Sequence, residues 1–372
     1  MISKFHDNLI NKVTTLSKSE IECVVSSCNF LKTKSLLEQL NLPYTAYPFI
    51  GDFFVTTNIT NLKILAEENC VSFLSGTTEV TTQINKVKHT LNLNKFTHGE
   101  NLGKGITIAF IDTGIYPHVD FLFPKNKLVK FVDLINNRTT PYDDNGHGTF
   151  VASICLGSGK RNNNSYCGIA PLADIVMIKA LNKKGETNSN KILDAMQYIY
   201  DHSEELNIKV VCMSFGADSL GEHDPLQKGA NALWEKGIVV VAAAGNSGPD
   251  KSSIKSPGTS SKIITVGGLD ATNPDKLTVA DFSSRGPVKG KFKPDLIAPS
   301  VNVTGANITP TTPYIKMSGT SVATPIIAGI CAIELEKNPK ITPDKLKYFL
   351  LNNCSHINYD KNSEGFGYLK FN

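Results

Sequence analysis

Five near-continuous apolar runs recur along the chain, GITIAFIDTG (105–114), VVCMSFG (210–216), IVVVAAAGN (238–246), KIITVGG (262–268) and DLIAPS (295–300), each closing on a turn. Runs without polar alternation suit strands covered on both faces, the situation of a parallel sheet. Helical patterns separate several of them: HGTFVASICLG, NKILDAMQYIYDHSEE and DPLQKGANALWEKG. Strands alternating with helices predict an α/β architecture with a mostly parallel central sheet flanked by helices and joined by right-handed crossovers. In such sheets chemistry gathers at the carboxyl ends of the strands, so the turns after the apolar runs are where candidate residues are sought.

The first ninety or so residues differ. EIECVVSS (20–27), DFFVTTN (52–58) and CVSFLSG (70–76) read as strands, and TKSLLEQLN (33–41) and NLKILAEEN (61–69) as helices, which makes a small α+β unit. The polar stretch TTEVTTQINKVKHTLNLNKF (77–96) reads as a linker. The expected division is a small unit over 1–94 and a large domain over 95–372.

Charge and cysteine content remove several function classes. The net charge is +4, with Lys and Arg dispersed rather than gathered into a stripe, so neither nucleic acid nor an anionic membrane is expected as a partner. No run of about 18 apolar residues occurs, and MISKFHDNLINKV lacks the apolar core of a secretory signal. Eight cysteines without paired CxxC spacing read as reduced thiols in a cytoplasm, with no zinc site.

Three residues stand where the sheet would gather chemistry. Asp112 follows an apolar run in IDTG, and a carboxylate there is costly to bury unpaired. His147 lies between Gly146 and Gly148 at a helix start, and Ser321 opens a helix in GTSVATP. Singly, each has an ordinary reading as turn former, structural turn or N-cap. Together, in the chain order Asp, His, Ser, they form one of the known arrangements of a nucleophile, its base and an orienting acid.

IDTGIYPHVDF, DDNGHGTFVA, VVVAAAGNSGP and MSGTSVATP resemble the signature segments of the subtilisin-like serine proteases, the subtilases, over about residues 95–372. The chain is most similar to the intracellular branch of that family. The resemblance implies a serine endopeptidase acting on unfolded or extended polypeptides through an acyl-enzyme. Its triad falls on Asp112, His147 and Ser321, and its oxyanion-hole asparagine on Asn246. Substrate-binding walls fall on Ser214, Phe215, Gly216, Ala243, Ala244 and Gly245, with the turn that begins at Lys255. Lys255 leaves two readings open: pointing into the first specificity pocket it favours acidic or polar residues, and pointing to solvent it leaves a broad apolar preference.

Phe150, Ser153 and Val322 depart from the family pattern, which bears on rate and preference rather than on reaction type. The calcium loop often found in the family corresponds to GSGKRNNNSYCGIAP (157–171), which carries no carboxylate, so no cofactor or metal ligand set is assigned and structural calcium has no identified ligands. The N-terminal unit is similar to the ferredoxin-like propeptide domain of subtilases, which implies an intramolecular inhibitor and folding aid removed by self-processing within the linker. The competing reading from another class is a catalytically silent pseudoprotease that binds peptides or regulates a protease.

Overall fold

The computed structural model describes residues 4–6, 9, 20–82, 101–273 and 275–370. The central sheet runs in the order Cys354–Ser355, Tyr368–Leu369, Leu296–Pro299, Ile264–Asp270, Val239–Ala243, Ile208–Met213, Thr107–Asp112, Asp174–Lys179 and Leu128–Asp133. The seven strands from Leu296–Pro299 to Leu128–Asp133 are all parallel. Thr107–Asp112 and Val239–Ala243 are buried along their whole length, as their unbroken apolar runs require.

Two strands of the parallel part were not among the five apolar runs. Asp174–Lys179 ends in a lysine that reads as surface, yet Lys179 is fully buried. Its ammonium donates to the Thr113 carbonyl (2.5 Å), the Leu181 carbonyl (3.1 Å) and Asp144 Oδ1 (2.7 Å). Leu128–Asp133 is a half-exposed edge strand, too mixed in character to match the buried grammar of its neighbours.

The Thr320–Lys337 helix packs on the middle strands with the His147–Leu156 helix beside it. Gly329 permits that approach: a Cβ there would lie 3.2 Å from the Cys155 carbonyl oxygen and 2.7 Å from Ile169 Cβ. The unusual Phe150 is fully buried and lies over Gly305 of the Val303–Ala306 strand. Ser153 Oγ donates to the Phe150 carbonyl (2.7 Å) and accepts from Ala306 N–H (2.7 Å), which ties helix to hairpin. Val322 is fully buried core. All three departures from the family pattern are packing choices.

The N-terminal unit is βαββαβ. Strands Ile21–Ser27, Tyr44–Tyr47, Asp52–Thr57 and Val71–Gly76 form an antiparallel sheet in which the first strand lies between the third and the fourth, with helices Phe30–Gln39 and Ile59–Glu67 in the connections. This is the ferredoxin-like order. Asn29 and Asn58 cap the two helices with their side-chain oxygens.

Side-chain contacts hold the unit against the large domain. Lys228 Nζ donates to both oxygens of Asp52 (3.0 and 3.3 Å) and lies 2.9 Å from Ser26 Oγ. The Tyr47 hydroxyl donates to Asp194 Oδ1 (2.8 Å), and Phe73 stacks on His223 at 3.9 Å between ring centroids. Asp52 is buried, which raises its carboxyl value, and the Lys228 charge opposes that rise.

The expected linker is in part a strand. Glu79–Thr82 pairs antiparallel with Phe215–Gly216 on one side and with Glu186–Asn188 on the other. Its polar sequence hid it, because backbone pairing to two waiting edges rather than an apolar face makes it a strand. The remainder of the linker, and with it the expected boundary at 94/95, lies outside the described residues. Among the described residues no helix is long and apolar enough to cross a membrane.

Candidate active site

Asp112 is the last residue of its strand and is buried. His147 is the first residue of its helix, and its Nδ1 lies 2.7 Å from Asp112 Oδ1, which also accepts the N–H of Thr113 at 2.7 Å. The glycines around His147 act in two ways. Gly146 has φ +101°, left-handed backbone that glycine adopts without strain. A Cβ on Gly148 would come within 2.2 Å of the Gly114 carbonyl oxygen and 3.2 Å of Asp112 Cβ, so its absence lets the imidazole reach the carboxylate. Among the described residues His147 Nε2 has no hydrogen-bond partner although it is buried.

Asp143 locks this arrangement and was not singled out by sequence. Its Oδ1 accepts from Thr113 Oγ1 (2.9 Å) and Gly146 N–H (2.8 Å), and its Oδ2 from Thr149 N–H (3.0 Å) and Oγ1 (2.7 Å). One buried carboxylate thus joins the Asp112 turn to the His147 helix.

Ser321 is the second residue of the Thr320–Lys337 helix and is fully buried. Four residues on, Pro325 has no N–H to give the Ser321 carbonyl its usual helical bond. Ser214 Oγ supplies one at 3.0 Å and so fixes the first turn to the loop after Ile208–Met213. Thr320 fixes the other side. Its N–H (2.9 Å) and Oγ1 (3.0 Å) both donate to Asn246 Oδ1, and Oγ1 accepts from Gly245 N–H at 3.1 Å. These bonds fix the orientation of the Asn246 amide, with Oδ1 turned toward the first turn of the Ser321 helix. The Thr before Ser in GTS was the available signal for this role; the Gly and Ser around Asn246 gave none.

Phe215 and Gly216 form the short strand opposite Thr82 and Thr81, while Ala243 and Ala244 are fully buried. Gly245 has φ +109°, and a Cβ there would sit 2.5 Å from Lys255 Cγ. Lys255 N–H donates to the Ala244 carbonyl (2.8 Å), and its Nζ lies 2.6 Å from Asp218 Oδ1. Lys255 therefore lies along the wall at Gly245 and ends on an acid at the rim.

The loop over 157–171 is held by protein groups. Asp120 Oδ1 accepts Arg161 N–H (3.2 Å) and Oδ2 accepts the Tyr314 hydroxyl (2.8 Å). The buried Lys127 ammonium donates to the carbonyls of Leu156 (2.7 Å) and Asp120 (3.1 Å). Among the described residues no group of three or more His, Cys, Asp or Glu is placed to hold a metal. The Lys127 ammonium thus occupies two carbonyls beside the loop, and the loop's own sequence carries no carboxylate.

Burial pushes the Lys127 value down to about 8, with Cys167, Asp120 and Asp174 opposing the fall. A base lowered on folding binds fewer protons in the fold than in the open chain, so stability rises with pH from about 8 toward the ordinary lysine value. Between pH 7 and 9 the wild type gains about 1 kcal/mol of unfolding free energy over Lys127→Met. Denaturant melts of both proteins at the two pH values check the sign; a difference that shrinks with pH refutes it.

The subtilase family model matches residues 103–368. The chain is 43% identical over 279 residues to serine protease AprX of Bacillus subtilis (strain 168), covering 68% of this chain and 62% of the relative. It is 34% identical over 272 residues to the thermophilic serine proteinase of Bacillus sp. (strain AK1), with coverages of 68% and 62%. The chain thus spans about three fifths of the length of these relatives.

Among solved structures, sphericase matches with a TM-score of 0.65 at 28% identity, over 76% of this chain and 97% of that one. Fervidolysin from Fervidobacterium pennivorans matches with a TM-score of 0.76 over 95% of this chain and 60% of that one, at 19% identity, a likeness of fold alone.

Proposed function

The chain belongs to the subtilase family, and from that membership and the site geometry we propose that it is a serine endopeptidase hydrolysing peptide bonds of extended or unfolded polypeptides through an acyl-enzyme. The observation that carries the reading is the 2.7 Å bond between buried Asp112 and His147 Nδ1, with Nε2 left as the ring's working nitrogen.

In this reading His147 takes the proton of Ser321 as the hydroxyl attacks the scissile carbonyl, then passes it to the leaving amine. Asp112 holds the tautomer and stabilises the imidazolium. Asn246 Nδ2 and the Ser321 N–H stabilise the tetrahedral oxyanion, aided by the helix N-terminus. Water then repeats the sequence on the ester. Against the silent pseudoprotease alternative stands the sequence itself, which keeps an acid, a base, a nucleophile and an amide at Asp112, His147, Ser321 and Asn246.

Self-inhibition by the N-terminal unit is the second part of the proposal. It is supported by Glu79–Thr82 filling the gap between Phe215–Gly216 and Glu186–Asn188, where a substrate would pair, and by the Asp52 and Lys228 contact. A cytoplasmic site of action is supported by eight cysteines that are all free thiols, including Cys155, Cys212 and Cys331, whose values burial raises.

A serine-directed phosphonate tests the chemistry. The mature wild type incorporates one label, and peptide mapping finds it on Ser321. A mature wild type that takes no label, or a Ser321→Ala protein that still does, removes the mechanism.

A further inference from the structure

We propose that the recess walled by Lys255 selects, at the residue whose carbonyl is attacked, a side chain ending in a carboxylate or carboxamide oxygen. The inference rests on the endopeptidase reading and names its substrate class. The register of the cleft strand locates the recess. Thr81 lies opposite Gly216 and Thr82 opposite Phe215, so a peptide continuing this register brings its next residue opposite Ser214. Ser214 Oγ is bonded to the Ser321 carbonyl, which makes that next residue the one beside the nucleophile.

Two backbone segments enclose the position. Residues 214–217 form one wall and 243–246 the other. The Lys255-Ser256 peptide bridges them, since Lys255 N–H donates to Ala244 O while Ala217 and Ser256 exchange both backbone bonds (3.0 and 2.8 Å). Gly216, Ala217, Ala243, Ala244 and Gly245 contribute no charged side chain. The Lys255 ammonium, 2.6 Å from Asp218 Oδ1, is the positive charge that Lys255 brings to these walls. Gly245 makes this possible, because any larger residue would collide with the lysine stem.

Asp218 does not cancel that charge. The lysine side chain is 25% exposed but Asp218 is 86% exposed, and an ion pair so open to water holds its partners weakly. An incoming carboxylate can replace Asp218 on the ammonium. A carboxamide can accept from Lys255 and donate to Asp218 at once. An apolar side chain would strip water from the ammonium and return nothing, and a cationic one is repelled. In the sequence the residue after Thr82 is Gln83, a carboxamide.

The test uses peptides identical except at that residue, carrying Glu, Gln, Leu or Lys, with kcat/KM measured on mature wild type, Lys255→Met and Asp218→Asn. Phosphonate titration counts the competent sites in each preparation. The wild type cuts the Glu and Gln peptides at least tenfold faster than Leu, and Lys slowest. Lys255→Met prefers Leu, and Asp218→Asn raises Glu relative to Gln. A wild type that favours Leu, or a ranking that Lys255→Met leaves unchanged, overturns the proposal. An unchanged Glu-to-Gln ratio in Asp218→Asn removes the acid from it. If no peptide is cut and no phosphonate is bound, the endopeptidase reading itself falls; if cutting and labelling proceed with another ranking, only the selectivity does.

Discussion

Replacing His147 with alanine lowers kcat by about a millionfold on a short peptide, with KM little changed, and adding Ser321→Ala lowers it no further. The size is the figure established for a subtilisin, and it follows from the two groups acting as a unit. A serine hydroxyl is almost wholly protonated near neutrality, so without the base the nucleophile is absent even though its oxygen remains. The geometry makes the loss specific. His147 is held by Asp112 at 2.7 Å and its helix by Asp143, and neither carboxylate reaches Ser321 as a substitute base in the bonds it makes. A residual rate of about 10³–10⁴ over water survives both changes, because Asn246 and the cleft strands are untouched. Steady-state kinetics on the two single variants and the double variant decide it. Losses that multiply would mean that the two residues work independently.

The second large effect is all or none. Expressed intact, the wild type converts from 40.4 kDa to a fragment of about 30 kDa, whereas Ser321→Ala stays whole with its N-terminal unit bound. The unit is anchored at Lys228, Asp194 and His223, and the Glu79–Thr82 strand lies in the cleft with its carboxyl end toward Ser214 and the nucleophile. The proposed self-inhibition expects the serine to cut beyond this strand and the products to stay together through the remaining contacts. Intact mass measurement of both proteins is sufficient. A wild type that is active and uncut would refute the inhibitory role.

Much of this was readable from the chain alone, for physical reasons that differ between elements. The apolar runs ending at Asp112, Gly216 and Asn246 announced buried parallel strands because such strands are covered on both faces. Asp112, His147 and Ser321 were singled out because their types, order and glycine-bounded turns are rare together, and the structure joins the first two at 2.7 Å. Asp174–Lys179 was hidden by its lysine, since no local pattern reveals that Thr113, Asp144 and Leu181 will satisfy a buried ammonium. Glu79–Thr82 was hidden because its strand character comes from two distant edges. The positioning roles of Asp143 and Thr320 arise from partners brought near only by folding. Lys255 could not be aimed from sequence, because its direction depends on the room left at Gly245 and on an acid 37 positions away.

The gap between Phe215–Gly216 and Glu186–Asn188 is one strand wide, about 9–10 Å from edge to edge by ordinary sheet spacing. A guest must offer its main chain to both neighbours, which a helix or an inner strand of a native client cannot do while its own bonds are made. Under the proposed endopeptidase function, digestion of a folded client would be governed by how often that client opens locally, which would make the protein a reader of conformational lapses in others.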